Sequence, residues 1–433
     1  MQYYPKNTFL VILTMIYIGC GGGGSSSSPT TQVPDDPLEK QWQSVQLNTI
    51  ESSGLHRANV KSMIDSNDQF HIVYFSSAGA NDYSIYHQMW DSRTFQPVNS
   101  KTSVIKIDNC RDIGMGLTMD SLPIVVYQGG SFPLCGEKEQ SDVMMNVFTD
   151  NQWKESTIEI GRVERNPVIN NGVAGGFLDM VVDPLNQVHV CFQFFYEGCD
   201  TMNVNYPDLW YVTFSADTPD QIPEHETVEG NSFDGAGIQN KVGDYCTIAL
   251  DSTHQPMIFY YYEAPLPENE KGLRVAMKNG LDWQPEWIKK DCEIGYISAA
   301  WNDKRSIMGV AYYVIKDFSY GGSDHFLEYA ERINGQWKIL WTDDSTLCGN
   351  YCSLTFDNDD HPLIAYRSDE SRSGYQLNAL KLCRGKNDQI FETETVSNTN
   401  NMGTHNTIFV DDSNTIYITS YSIEKKCVYM LNQ

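Results

Sequence analysis

The chain has 433 residues, with 56 Asp and Glu against 30 Lys and Arg and a formal net charge of -26 at pH 7. So acidic a body repels the nucleic-acid backbone and, unless a local basic patch intervenes, polyanionic glycans. The length is ample for a large core. The single long apolar run lies near the N-terminus and is too short to span a bilayer comfortably as a helix.

In chain order, Lys6 gives a positive start, Thr8 to Ile18 an apolar run, and Gly19-Cys20 ends it. Residues 1–19 read as a targeting segment and not as fold. Residues 20–37, CGGGGSSSSPTTQVPDDP, form a Gly/Ser-rich flexible spacer. The run and its cysteine resemble a bacterial lipoprotein signal, which implies a lipid on Cys20 and a membrane as partner. Gly21 in place of Asp implies the outer membrane, and so a location in the cell envelope. An ordinary secretory signal with a stray cysteine is the plainer alternative. With Cys20 lipidated, ten of the 11 Cys remain, an even number suited to disulfides in an oxidising compartment.

The expected folded body is 38–433, and it repeats. An apolar stretch ending in Asp or Asn, a polar turn and a second, Tyr-rich stretch recur seven times. Examples are VKSMIDSNDQFHIVYF from Val60, LDMVVDPLNQVHVCF from Leu178 and CSLTFDNDDHPLIAY from Cys352. The markers are Asp65, Asp120, Asp183, Asp251, Asn302, Asp357 and Asp411, between 51 and 68 residues apart. Alternation and β-branched or aromatic content predict strands, with no helical period. A third strand follows each loop (SIYHQMW, LWYVTFS, FLEYAER), and a fourth carries Trp (WKESTIEI, WKILWTD). Four antiparallel strands repeated radially predict an all-β, seven-bladed β-propeller.

The seventh unit, from about Thr404, supplies three strands before the chain ends at Gln433. The missing fourth is WQSVQLNTI, Trp42 to Ile50, which shares its Gln-Trp start with the outer strands at 152 and 336. The N-terminal strand is thus expected to complete the last blade and leave no open edge.

The blades resemble the degenerate propeller repeats of the BNR or sialidase-like superfamily, in a pattern of Asp, turn, Pro-h-I-x-Tyr, Tyr-Ala and Trp. The resemblance covers about 42–433 and implies the fold. The sialidase Asp box and the Arg-Ile-Pro motif are absent, and fold alone licenses no activity.

Six residues before each marker stand Asn59, Gly114, Phe177, Tyr245, Tyr296, Tyr351 and His405. On a propeller these positions ring the channel mouth, where aromatic groups stack on a sugar or hold a peptide; the alternative is packing between blades. Long loops such as SFPLCGEKEQSD and KDFSYGGSDH flank the same face. Cys110, Cys292 and Cys348 fall in the loops entering the inner strands of this face, and Cys135 and Cys199 in its long loops. Pairing of Cys110 with Cys135 is expected, with Cys246–Cys292 and Cys348–Cys352 as further bridges. His71, His189 and His361 are expected to be structural. His405, Arg57 and Tyr351 are the candidates for a lyase base and charge neutraliser. No metal or cofactor motif is present; turns such as DNDDH (357–361) could hold a structural calcium, although a solvated turn is expected. The reading is a lipid-anchored extracytoplasmic propeller binding a glycan, peptide or envelope protein through its loop-rich face, and no nucleic acid. The alternative is a glycan-active lyase or hydrolase on the same scaffold.

Overall fold

The computed structural model describes residues 42–49, 60–77, 83–100, 102–107, 110–129, 142–159 and 171–197. It continues over 205–230, 240–264, 269–317, 323–345, 347–372, 375–387 and 390–433. The expected targeting segment, spacer and Cys20 lie outside these residues, as do Arg57, Asn59, Cys135 and most of each long loop.

Among the described residues every regular element is a strand, and the strands form seven four-stranded antiparallel sheets. The inner strands of blades one to seven are Val60–Ile64, Cys110–Leu117, Asn171–Val182, Lys241–Leu250, Glu293–Asn302, Cys348–Phe356 and Thr404–Val410. The second strand of each blade is covered on both faces by neighbouring blades. Pro123–Gly129 and Ile416–Ser422 are accordingly buried at every residue. The outer strands Gln152–Glu159 and Ile390–Ser397 are mostly exposed.

Ring closure is as expected. Gln43–Thr49 pairs antiparallel with Cys427–Asn432, from Gln43 opposite Asn432 to Thr49 opposite Cys427. Leu47 is buried there, and Trp42 and Val45 pack against the clusters on either side of the last blade.

The marker residues earn their recurrence as turn formers. Asp65 Oδ1 accepts from the backbone N–H of Asn67 and Gln69, both at 2.8 Å. Asp183, Asp251, Asp357 and Asp411 do the same two and four residues on, at 2.7–3.0 Å. Blade two corrects the sequence reading. There Thr118 Oγ1 accepts from Leu122 N at 3.0 Å, so Thr118, not Asp120, holds the marker position. His71, His189 and His361 each lie against their own blade's marker carboxylate, at 3.5, 3.8 and 3.3 Å, as structural partners. Part of the chain's acidity also satisfies buried phenols: Tyr127 donates to Glu155 at 3.0 Å, Tyr312 to Glu328 at 2.8 Å and Tyr329 to Glu331 at 2.7 Å.

Candidate functional site

In blades three to seven the inner strand loses register with its neighbour just before the channel mouth. The shifts fall between Gly176 and Asp179, Asp244 and Thr247, Gly295 and Ser298, Asn350 and Ser353, and Thr404 and Thr407. The first skipped residue is in each case the one singled out in the sequence: Phe177, Tyr245, Tyr296, Tyr351 and His405. All five have left-handed backbones, with φ of 49°, 55°, 46°, 53° and 49°. Such a conformation is unusual for bulky residues and costs on the order of 1 kcal/mol each, held in place by the surrounding sheet. The bulge re-aims each side chain from the pleat toward the channel.

The five rings form one continuous arc. Centroids are 4.6 Å apart for Phe177–Tyr245, 5.5 Å for Tyr245–Tyr296, 4.3 Å for Tyr296–Tyr351 and 4.9 Å for Tyr351–His405. All are half-buried: they pack in the seams between blades and also line a cavity of about 490 Å³ bounded by residues of all seven blades. The alternatives of seam and mouth are both realised.

Gly114 is not part of this ring. A Cβ there would meet Met180 Cγ at 2.7 Å, so the residue faces blade three. Counting six back from the true marker, Thr118, gives Asp112, which does line the cavity. Lys61 and Asp179 line it too, and the sequence reading missed all three. Lys61 and Asp179 share the position four before the marker, where blades four to seven carry Thr247, Ser298, Ser353 and Thr407. Gly114 is the blade-two residue at that position, and across it Lys61 Nζ reaches Asp179 Oδ1 at 3.5 Å.

This polar sector is tied into the ring. Asp112 accepts from Ile113 N and, across the seam, from Leu178 N, both at 3.0 Å. Asp179 Oδ2 accepts from Thr247 Oγ1 at 2.6 Å and Ile248 N at 3.2 Å. Burial, reinforced by the charge of Asp179, pushes the Asp112 carboxyl up to about 6 against the opposing pull of Lys61. Burial works against the Lys61 ammonium, but Asp179 and Asp112 outweigh it and raise its pKa. Burial, with the nearby charge of Lys61, lowers His405 to about 3, leaving a neutral imidazole. Burial raises the Tyr296 phenol, and its neighbour Tyr351 adds to the effect. Of the expected lyase set, Tyr351 and His405 are adjacent and Arg57 lies outside the described residues.

The cysteines do other work than expected. Cys110, Cys246, Cys292, Cys348 and Cys352 are all buried free thiols, so the Cys246–Cys292 and Cys348–Cys352 bridges are not formed. The thiols of Cys246 and Cys352 each donate to the carbonyl of the preceding blade's ring residue, Phe177 and Tyr296. In the last blade Asn406 Nδ2 makes the same contact to Tyr351 O at 3.0 Å. Cys348 Sγ instead donates to Asp343 O at 2.9 Å. Equivalence between blades thus reflects a repeated seam contact and not a covalent brace. Burial raises the thiols of Cys246 and Cys352, so both are unreactive as folded. Peptide mapping after alkylation should find the two unlabelled in the native protein and labelled in denaturant; native labelling would contradict the seam packing.

In the turn of blade six, Asp357, Asp359 and His361 bring ligand-type atoms within 4.8 Å of one another. Asp357 Oδ1 is already taken by the N–H groups of Asp359 and His361, at 2.9 and 2.8 Å.

No protein-family model and no curated protein matches the sequence. Solved structures do match. A polysaccharide lyase, Uly1, aligns at TM-score 0.53 and 7% identity over 92% of this chain and 94% of its own. An α-L-arabinanase of Penicillium chrysogenum complexed with arabinobiose aligns at 0.46 and 9%, over 90% and 97%. A NanB sialidase of Streptococcus pneumoniae aligns at 0.45 and 11%, over 93% and 72%. At these identities the likeness is one of fold: the chain is a seven-bladed propeller with structural neighbours among glycan-active propellers.

Proposed function

We propose that this propeller binds a carbohydrate, a short saccharide or a chain end, in the mouth of its central channel. The observation that carries the reading is the arc of five rings held by strained bulges in blades three to seven, sharing the cavity with Lys61, Asp112 and Asp179 of blades one to three. A sugar has apolar C–H faces and a polar rim, and this arrangement offers a partner to each. The protein presents the site from the cell envelope, tethered through a lipid on Cys20 with the 20–37 spacer setting its reach.

The test is a glycan microarray followed by calorimetric titration of the best saccharide. Tyr296→Ala/Tyr351→Ala is expected to weaken binding by on the order of 10- to 100-fold, since each ring contributes about 1 kcal/mol. A double variant that melts several degrees lower yet binds unchanged would make the arc seam packing only.

A second reading, a glycan-active hydrolase, is favoured by one observation: Asp112, pushed up to about 6, shares the cavity with Asp179, whose charge Lys61 balances. Two carboxyls in one cavity, one of them with a raised pKa, suit acid and base roles. Against it, both Asp112 oxygens already accept backbone N–H groups. Asp112→Asn separates the two: an enzyme loses release of reducing ends from the bound saccharide, whereas a binder releases none before or after the substitution.

A further inference from the structure

Beside the channel mouth, between blades four and five, lies a second cavity of about 180 Å³. Its wall toward the channel is made of Tyr245 and Tyr296, which line both cavities. Its other polar and aromatic lining is Lys241, Asp244, Tyr261, Glu263, Glu293 and Tyr313. Three carboxylates and four phenols therefore surround a space that contains one ammonium, that of Lys241.

That ammonium reports what the cavity stabilises. Lys241 Nζ lies 2.6 Å from Asp244 Oδ2 and 5.4 Å from the centre of the Tyr261 ring. Burial works against its charge, yet Asp244 and Glu263 outweigh burial and raise its pKa. A positive charge is thus favoured in this space even after partial removal from water. The remaining carboxylates are held toward it: Glu263 accepts from Tyr261 Oη at 3.0 Å, and Glu293 pairs with Lys271 at 3.1 Å while 43% exposed. Tyr296 and Tyr313, 6.2 Å apart, add ring faces. Aromatic walls with an excess of carboxylate are the usual chemistry for an ammonium group.

We propose that this cavity is a second subsite and that it takes the ammonium group of an amino sugar whose neighbouring ring stacks on the arc at the channel mouth. The proposal rests on the carbohydrate reading above and adds the substrate class. It also accounts for the lack of a spare cation in either cavity among the described residues: Lys61 is paired with Asp179 and Lys241 with Asp244. A uronate or sulfated sugar would meet net negative charge in both. The volume, about six waters' worth of liquid, suits one sugar ring and not a chain.

The experiment is calorimetric titration of the full chain with a glucosamine tetramer and with the same tetramer fully N-acetylated. The amine form is expected to bind on the order of tenfold more tightly. Glu263→Gln and Glu293→Gln, which change charge with little change in shape, are each expected to bring its affinity toward that of the acetylated form. A preference that survives both substitutions belongs to the acidic body as a whole and overturns the subsite. Equal binding of the two forms, weakened alike by Tyr351→Ala, overturns the subsite and leaves the channel-mouth site standing. If neither these tetramers nor any saccharide of the microarray binds, both readings fall.

Discussion

Deleting Trp42–Thr49 will lower the stability of the whole ring, not just fray one end. The strand contributes an edge ladder to Cys427–Asn432, and its Trp42, Val45 and Leu47 pack into both seams of the last blade. Loss of three packed apolar side chains costs ~5–10 kcal/mol at the usual values for large-to-small core changes. In a domain of this size that corresponds to a fall in melting temperature of roughly 10 °C. The deletion also exposes the backbone of Cys427–Asn432 as an open sheet edge, so the variant should self-associate. No cavity-lining residue is removed. Calorimetry and light scattering check both effects; an unchanged, monodisperse variant would contradict closure by the N-terminal strand.

Acid will destabilise the fold well before its carboxylates are neutralised. His71, His87 and His189 are almost wholly buried. Burial lowers each, and with the charge of His71 it brings His87 to about 3. His71 Nδ1 lies 3.1 Å from His87 Nε2, a hydrogen bond that double protonation would break. The unfolded chain takes up protons near pH 6.5 that the folded imidazoles refuse. Their stabilising contribution is therefore complete above pH 6.5 and is lost as pH falls from there toward 3. These three and His405, whose pKa burial likewise lowers to about 3, give a slope of up to about 5 kcal/mol per pH unit. Asp112 acts in the opposite sense, since its raised pKa stabilises the fold at low pH and that contribution is lost as pH rises through about 6. Glu229, which burial also raises, acts in the same sense as Asp112, and two carboxyls offset only part of four imidazoles. Denaturant melts at pH 7.5 and 5.5 should show a clear loss at the lower value, reduced in His87→Gln. A flat profile would mean that these histidines are protonated in the fold.

The fold was legible because its repeating signal is chemical: an Asp whose carboxylate oxygen accepts from two N–H groups recurs wherever that turn recurs. The arc was legible for the same reason, being a fixed count from the turn. Where the turn former changed to Thr118, the count slipped by two, and Gly114 was read in place of Asp112. Lys61 and Asp179 went unnoticed because each is the single charged residue of its strand, and their pairing depends on a glycine between them in space. The cysteines misled because a shared face of the propeller suggested pairing, but spacing does not show where a sulfur points. The closest described sulfurs, Cys191 and Cys246 at 3.6 Å, sit at non-equivalent positions.

The most direct test of the channel-mouth site is a crystal structure of the protein soaked with the tightest-binding saccharide from the microarray. A sugar ring stacked on at least two of Tyr245, Tyr296 and Tyr351, with a hydroxyl within hydrogen-bond reach of Lys61, Asp112 or Asp179, is the predicted result. A saccharide bound elsewhere on the propeller, with the channel mouth empty, would contradict it.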